Sequence, residues 1–189
     1  MQEAVRRIFE QLDPPVWIVT AAHDDRSGGL VATFVMKASI VDDEPRVILG
    51  LARHHFTHEL IDGAGQLALH LLRPNQSQLA LHFGLQSGRH TSKLQGVAHE
   101  MSSGVPLLPD CAARLTGSVE ARFNTGDRTL FMCRITSAEP IVPGPVLTMS
   151  RLLNVMSDEQ RQTLKTQLQA DADMDREAIQ KWRAERREQ

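Results

Sequence analysis

The sequence of 189 residues has little aromatic character and little cysteine. It contains no Tyr, and aromatic residues make up 4% of the chain. A ligand bound by this protein therefore has few rings on which to stack. The two cysteines, Cys111 and Cys133, are too few for a disulfide framework and match no zinc-binding spacing. We interpret both as small buried side chains in a protein from a reducing compartment.

Two further absences limit the class of protein. The net charge is -2, from 21 Lys and Arg against 23 Asp and Glu, so no overall positive field attracts nucleic acid or an anionic membrane. No run of about 18 apolar residues occurs, and the N-terminus lacks the apolar segment of a secretion signal. We expect a cytoplasmic protein with neither nucleic acid nor membrane among its partners.

Runs of β-branched residues separated by turns predict a mainly β (α+β) fold, a split barrel of about six strands. The residues between Leu85 and Leu108 form a long polar loop in this interpretation. Short helices are expected over residues 2–12 and 55–61, the second with Thr57 as a candidate N-cap and Gly63 and Gly65 at its end. Another helix is expected to begin at Pro74.

The character of the chain changes near residue 145. We expect residues 1–145 to form the barrel domain with its N-terminal helix, and residues 146–189 to form a helical C-terminal extension. A capping box from Ser157 to Gln160 predicts the start of a helix there. Trp182 lies further along this extension and is expected to pack against another element.

Several familiar site motifs are missing. No G-x-G-x-x-G follows the first strand, and there is neither a P-loop nor a G-x-S-x-G elbow. His54, His55 and His58 form an H-H-x-x-H cluster, but it lacks the metalloprotease Glu and a marked third ligand. The sequence therefore predicts no metal site. His70 and His82 lie on apolar elements and are interpreted as hydrogen-bonded core or interface residues rather than ligands.

The segment 30–40 is the most informative stretch. It begins as a strand and then mixes Lys37 and Ser39 with small residues, so it can present polar groups to a planar or phosphorylated ligand. An ordinary strand end is the alternative interpretation.

An ordered series of short motifs resembles the flavin reductase-like family of FMN-binding split barrels. The series covers roughly residues 13 to 140, and its members are residues 15–21, 33–40, 69–72, 78–84, 87–94, 104–108, 114–115 and the pair Gly126-Asp127. The resemblance implies a homodimeric barrel that holds FMN. The residues implied to lie against the flavin ring are Thr33, Phe34, Val35, Met36, Lys37, Ala38 and Ser39. Those implied to lie near its phosphate are Arg53, His54, His55, Phe56, Thr57, Arg89 and Lys93.

The resemblance implies an oxidoreductase that passes electrons from NAD(P)H through FMN to free flavin or to a partner such as a flavin-dependent oxygenase. Reductases of this family commonly have His after the Gly-Asp pair, on the nicotinamide side, where this chain has Arg128. Two alternatives therefore stay open: a non-enzymatic FMN-binding electron carrier, and a degenerate barrel that acts as an interaction module.

Overall fold

A curled antiparallel sheet forms the body of the protein in the computed structural model, which describes residues 1–89, 91–140 and 144–187. Its seven strands are β1 (Trp17–His23), β2 (Arg26–Ala32), β3 (Val35–Lys37), β4 (Arg46–Ala52), β5 (Gln66–Leu71), β8 (Ala113–Asn124) and β9 (Arg128–Pro140). A separate two-stranded sheet contains β6 (Glu100–Ser102) and β7 (Val105–Leu107). The expected mainly β class with short helices is confirmed.

The strand order shows why the sheet is curled. The order is β2-β1-β5-β8-β9-β4-β3, so β2 and β3 lie at opposite edges. These strands are nevertheless almost consecutive, and the step from Ala32 to Val35 spans at most about 11 Å of extended chain. The two edges must therefore approach each other. The apparent single run of residues 30–37 is two strands, which makes the expected number of six too low.

Within the described residues, five α-helices accompany the sheet: α1 (Gln2–Phe9), α2 (Phe56–Ala64), α3 (Ser77–Gly84), α4 (Met149–Val155) and α5 (Asp158–Glu185). A short 3-10 turn over Pro74–Gln76 precedes α3. The expected N-cap at Thr57 is wrong, since His55 occupies the N-cap position and Thr57 is buried inside α2. Gly65 does end that helix, with φ of 66°. No helix among the described residues is both long and apolar enough to cross a membrane.

The predicted loop over residues 85–108 contains a hairpin. Ser103 and Gly104 have φ of 49° and 81°, which turn the chain between β6 and β7. Val105 and Leu107 then pack on Ala68 of β5. The sequence did not predict these two strands, because three residues are too few to show an alternation of apolar and polar side chains.

Buried apolar residues form two main clusters. One lies around Leu49, Leu69 and Phe131 in the sheet, and the other joins Ile18 and Phe83 to the C-terminal residues Leu147, Leu152 and Met156. The cysteines are confirmed as buried and free, Cys133 in the first cluster and Cys111 in the second. Burial raises the pKa of the Cys111 thiol to about 11 and that of Cys133 to about 12, so both remain protonated at neutral pH.

Backbone hydrogen bonds attach the start of the C-terminal segment to the residues that flank β1 and β5. The N–H of Val16 donates to the carbonyl of Leu147 at 2.8 Å, and the N–H of Leu147 donates to the carbonyl of Leu72 at 2.8 Å. The capping box at Ser157 is confirmed in both directions and begins α5. Trp182 near the far end of α5 packs against Gly126 in the β8–β9 turn, as a Cβ on that glycine would approach the Trp182 Cβ to 2.8 Å.

His70 joins β1 to the segment after β7. Its Nδ1 lies 3.1 Å from the Ile18 carbonyl, and its Nε2 accepts the N–H of Leu108 at 3.1 Å. These contacts confirm a hydrogen-bonded core role, and they fix the neutral tautomer with the proton on Nδ1. Burial lowers the pKa of His70 to about 4.

We expect His70 to make the protein acid-sensitive. The folded state binds the proton less readily than the unfolded state, so the contribution of His70 to stability is complete above pH 6.5 and is lost as the pH falls toward 4. The shift from 6.5 to about 4 corresponds to about 3 kcal/mol. In urea unfolding, the free energy of unfolding should fall much less between pH 7 and pH 4 in His70→Gln than in the wild type. The exposed His99→Gln is the control, and equal losses in all three proteins would contradict the prediction.

Candidate cofactor-binding site

A cavity of about 500 Å³ lies where β2, α2 and α3 meet the C-terminal helices. Its apolar lining includes Leu152 and Met156 near α4, and Leu164 and Leu168 on α5. Its polar lining comes chiefly from the start of α2 and from the loop that follows α3. The cavity therefore has an apolar wall and a polar wall, as small-molecule sites commonly do.

Part of the predicted cofactor site lines this cavity. The sequence-predicted residues brought together there are Thr33, His54, His55, Phe56, Thr57, Arg89 and Lys93. The others, which are not among the lining residues, are Phe34, Val35, Met36, Lys37, Ala38, Ser39 and Arg53. Residues 34–39 diverge because β3 lies at the other edge of the sheet, where it pairs with β4, and Arg53 directly follows β4. Lys37, for example, is 68% exposed there, with Nζ 3.9 Å from Asp42.

Lys93 is the most unusual residue of the lining. Its side chain is buried, and its Nζ donates to the carbonyl of Phe83 at 2.7 Å, the one acceptor found for it among the described residues. An ammonium group has three protons to donate. Burial lowers the pKa of Lys93 to about 8, so it is charged at neutral pH. A buried cation with one neutral acceptor beside a cavity is suited to bind an anion.

The loop carrying Lys93 is held on both sides. The carbonyl of Lys93 lies 2.8 Å from Nε2 of His82 on α3, which confirms that His82 is hydrogen-bonded. Arg89 donates to Glu59 at 3.0 Å and to the carbonyl of His54 at 3.2 Å. The hydrogen bonds from Arg26 and Arg89 lower the pKa of the Glu59 carboxyl. Arg89 therefore lies across the start of α2, although its charge is already shared with Glu59.

The first turn of α2 contributes its backbone. His55 is the N-cap residue with extended backbone angles, and no side chain caps the helix. The first N–H groups of an α-helix have no acceptor within the helix, and the helix dipole favours an anion there. Phe56, the first residue of α2, packs closely on two glycines, since a Cβ would come within 3.1 Å of its ring at Gly28 and 3.0 Å at Gly88.

The structure adds a helix that the sequence-based site did not include. Asp171 of α5 lies 3.1 Å from Nε2 of His54 and 3.5 Å from Nε2 of His55. Burial, followed by the neighbouring His54, lowers the pKa of His55. Gln167, one turn before Asp171, donates to the carbonyl of Leu85 at 3.0 Å. Nothing in the local sequence signals these contacts, because α5 joins them from the other end of the chain.

Arg128 lies under the same helix. Its guanidinium is 3.3 Å from Asp127 and 3.3 Å from Asp175 of α5, and it is not among the lining residues of the cavity. Burial raises the pKa of the Asp175 carboxyl. His58 also departs from the histidine cluster, because it is buried and its Nε2 lies 2.7 Å from the Thr129 hydroxyl. His54 and His58 therefore do not converge as an i,i+4 pair of ligands.

The same fold occurs in solved structures of flavin proteins. The NADH:FAD oxidoreductase of Streptomyces globisporus C-1027 has a TM-score of 0.69 and 19% identity, and the match covers 78% of this chain and 87% of that one. The FMN-binding protein of Thermus thermophilus has a TM-score of 0.64 and 21% identity, with coverage of 69% and 72%. The fold is thus the split barrel of the flavin reductases.

Residues 9–151 match the family described as flavin reductase like domain, and the chain belongs to that family. The resemblance inferred from the short motifs is therefore confirmed. The reductase component of 4-hydroxyphenylacetate 3-monooxygenase from Klebsiella oxytoca is 22% identical over 132 residues, which cover 69% of this chain and 76% of that protein. Helix α5 begins after the matched residues end.

We expect Lys93→Met to stabilise the protein at pH 7. The lowered pKa means that the buried charge destabilises the folded state below pH 8, and that this cost disappears as the pH rises from 8 to 10.5. The substitution removes the buried charge but also the hydrogen bond to the Phe83 carbonyl. The net effect should raise the free energy of unfolding by about 2 kcal/mol. Urea unfolding at pH 7 and pH 10 measures this. The exposed Lys181→Met is the control, and a less stable Lys93→Met would contradict the prediction.

Proposed function

We propose that the cavity binds FMN and that the protein is an NAD(P)H-dependent flavin oxidoreductase. The observation that carries this proposal is Lys93, a buried ammonium group at a cavity with one neutral acceptor among the described residues. Membership of the flavin reductase-like family supports a flavin as the ligand. FMN has the phosphate that such a cation would bind.

The polar wall suits the phosphate end of that ligand. Lys93 supplies a charge, and the first turn of α2 supplies N–H groups directed out of the helix. Arg89 is available if it exchanges one of its contacts with Glu59 for the ligand. These donors come from two segments that Arg89 already joins, so the phosphate would be bound by a largely preformed group of residues.

The apolar wall suits the ring system. Leu152, Met156, Leu164 and Leu168 supply aliphatic and thioether surface, and Phe56 and Phe83 also line the cavity. The flavin would accept hydride from the nicotinamide and pass electrons onward, as flavins do when bound to proteins. The role of these residues is to orient the ring and to exclude water from one of its faces.

The contacts of Arg128 favour a second candidate, the non-enzymatic electron carrier. The resemblance implies that this position faces the nicotinamide, yet its guanidinium is paired with Asp127 and with Asp175 of α5. A nucleotide phosphate would have to compete with both carboxylates. In this case the electrons would come from another protein rather than from NAD(P)H.

The acceptor and the assembly are part of the proposal. The Klebsiella relative is the reductase component of a monooxygenase, which supports free flavin or a flavin-dependent oxygenase as the acceptor. A homodimer is supported by apolar side chains exposed at one edge of the sheet: Met36 is 61% exposed on β3, and Ile40 is 93% exposed just after it. The cytoplasm, where reduced nucleotides are available, is the proposed location.

Purification should give a yellow protein with a flavin absorption band near about 450 nm. Anaerobic addition of NADH or NADPH should bleach this band if the protein is a reductase. A band that neither nucleotide bleaches would support the carrier and contradict the reductase. A colourless protein that does not take up added FMN would contradict both and leave the interaction module.

We expect FMN affinity to depend on the charge of Lys93. Since this pKa is about 8, the Kd of the wild-type protein should rise about tenfold between pH 7 and pH 9 as the charge is lost. Lys93→Met should bind FMN at least about tenfold more weakly at pH 7, as expected for a lost charged hydrogen bond, and with little dependence on pH. Fluorescence titration of the flavin-free protein measures both effects. Lys181→Met should match the wild type, and equal pH slopes in all three proteins would contradict the assignment.

A further inference from the structure

Three side chains from two distant segments meet at the edge of the cavity. His54 and His55 precede α2, Asp171 lies on α5, and all three line the cavity. One ligand atom from each, an imidazole nitrogen or a carboxylate oxygen, lies within 4.8 Å of the other two. None of the three side chains is fully exposed. We propose that His54, His55 and Asp171 form a binding site for a divalent transition-metal ion such as Zn²⁺.

The distances are close to those of a metal site. Nitrogen and oxygen ligands bound to zinc at 2.0–2.2 Å lie about 3.3 Å from each other in a tetrahedron. Nε2 of His54 is 3.1 Å from one carboxylate oxygen of Asp171, and Nε2 of His55 is 3.5 Å from the other. The ring centroids of His54 and His55 lie 4.5 Å apart, and the partial exposure of both side chains leaves room for the rings to turn toward one ion.

The surroundings supply a second layer of contacts. Nδ1 of His54 lies 3.7 Å from the carboxylate of Asp175. A metal ion bound at Nε2 leaves the proton of this ring on Nδ1, facing Asp175, which is the carboxylate-histidine-metal arrangement common in proteins. Without a metal ion, both nitrogens of His54 face carboxylates, and a neutral ring can donate only one proton.

The local charges also permit a cation. Arg128 is paired with Asp127 and Asp175, and Arg89, which donates to the His54 carbonyl at 3.2 Å, is paired with Glu59. Asp171 has only the two imidazoles as ion-pair partners among the residues that the structure describes. Its carboxylate is therefore free of competition from Arg or Lys and is available as the anionic ligand.

The donor set defines the class of metal. Two imidazoles and one carboxylate suit Zn²⁺, Ni²⁺, Co²⁺ or Fe²⁺ better than Ca²⁺ or Mg²⁺, which prefer all-oxygen sites. Three protein ligands leave a fourth position open on the cavity side, where water or an anionic ligand can bind. The site does not depend on the flavin proposal, because all three ligands belong to the chain.

Calorimetric titration of flavin-free protein with ZnCl₂, in buffer without phosphate, tests the site. We expect one Zn²⁺ per chain. The affinity should be at least about tenfold lower in each of His54→Gln, His55→Gln and Asp171→Asn, since even the loss of a residue that hydrogen-bonds to a metal ligand lowers affinity by this much. Asp173→Asn, which removes the same charge from the exposed side of α5, and His99→Gln should bind as the wild type does.

A second measurement guards against variants that fail to fold. Zn²⁺ should raise the melting temperature of the wild type and of Asp173→Asn, because the ion joins α5 to the start of α2, and at the same concentration it should raise that of Asp171→Asn much less. Circular dichroism before titration confirms that each variant is folded. Absence of stoichiometric binding to the folded wild type, or unchanged affinity in all three ligand variants, would overturn the proposal. FMN binding is measured separately, so failure of one proposal leaves the other standing.

Discussion

The backbone hydrogen bonds of Leu147 determine where the C-terminal helices lie relative to the sheet. Leu147 lies between Val16 and Leu72, and it places Leu152 and Met156 in the same apolar cluster as Ile18 and Phe83. Helix α5 then begins close to the cavity rather than extending into solvent. The apolar wall of the cavity and the approach of Asp171 to the histidines both follow from this attachment, and these are the features that α4 and α5 add to the sheet.

The polar wall of the cavity contains a buried charge on a loop that hydrogen bonds hold in place. Lys93 is buried with one acceptor, and a charge in that position costs free energy in the folded protein. Residues of this kind are typical of functional sites, where stability is given up for binding. The hydrogen bonds of His82 and Arg89 reduce the freedom of the surrounding loop, so a ligand bound there would not need to order it.

The sequence predicted the fold class and the family, and half of the cofactor-site residues that it predicted line the cavity, because hydrophobic periodicity and short ordered motifs are local. The sequence did not predict the features that depend on contacts between distant parts of the chain. Residues 33–34 join β2 to β3, which pairs with β4 at the other edge of the sheet, and Lys37 therefore does not line the cavity. Asp171 and His54 are 117 positions apart, and no local pattern marks their contact.

Helix α5 contains 28 residues, and none of them is buried. It is held by a few contacts, among them Gln167 with Leu85 and Trp182 with Gly126. A segment with so little buried surface can separate from the body at a much lower free energy than global unfolding requires. Separation of this helix would expose the apolar wall of the cavity to water, while the sheet beneath it keeps its structure.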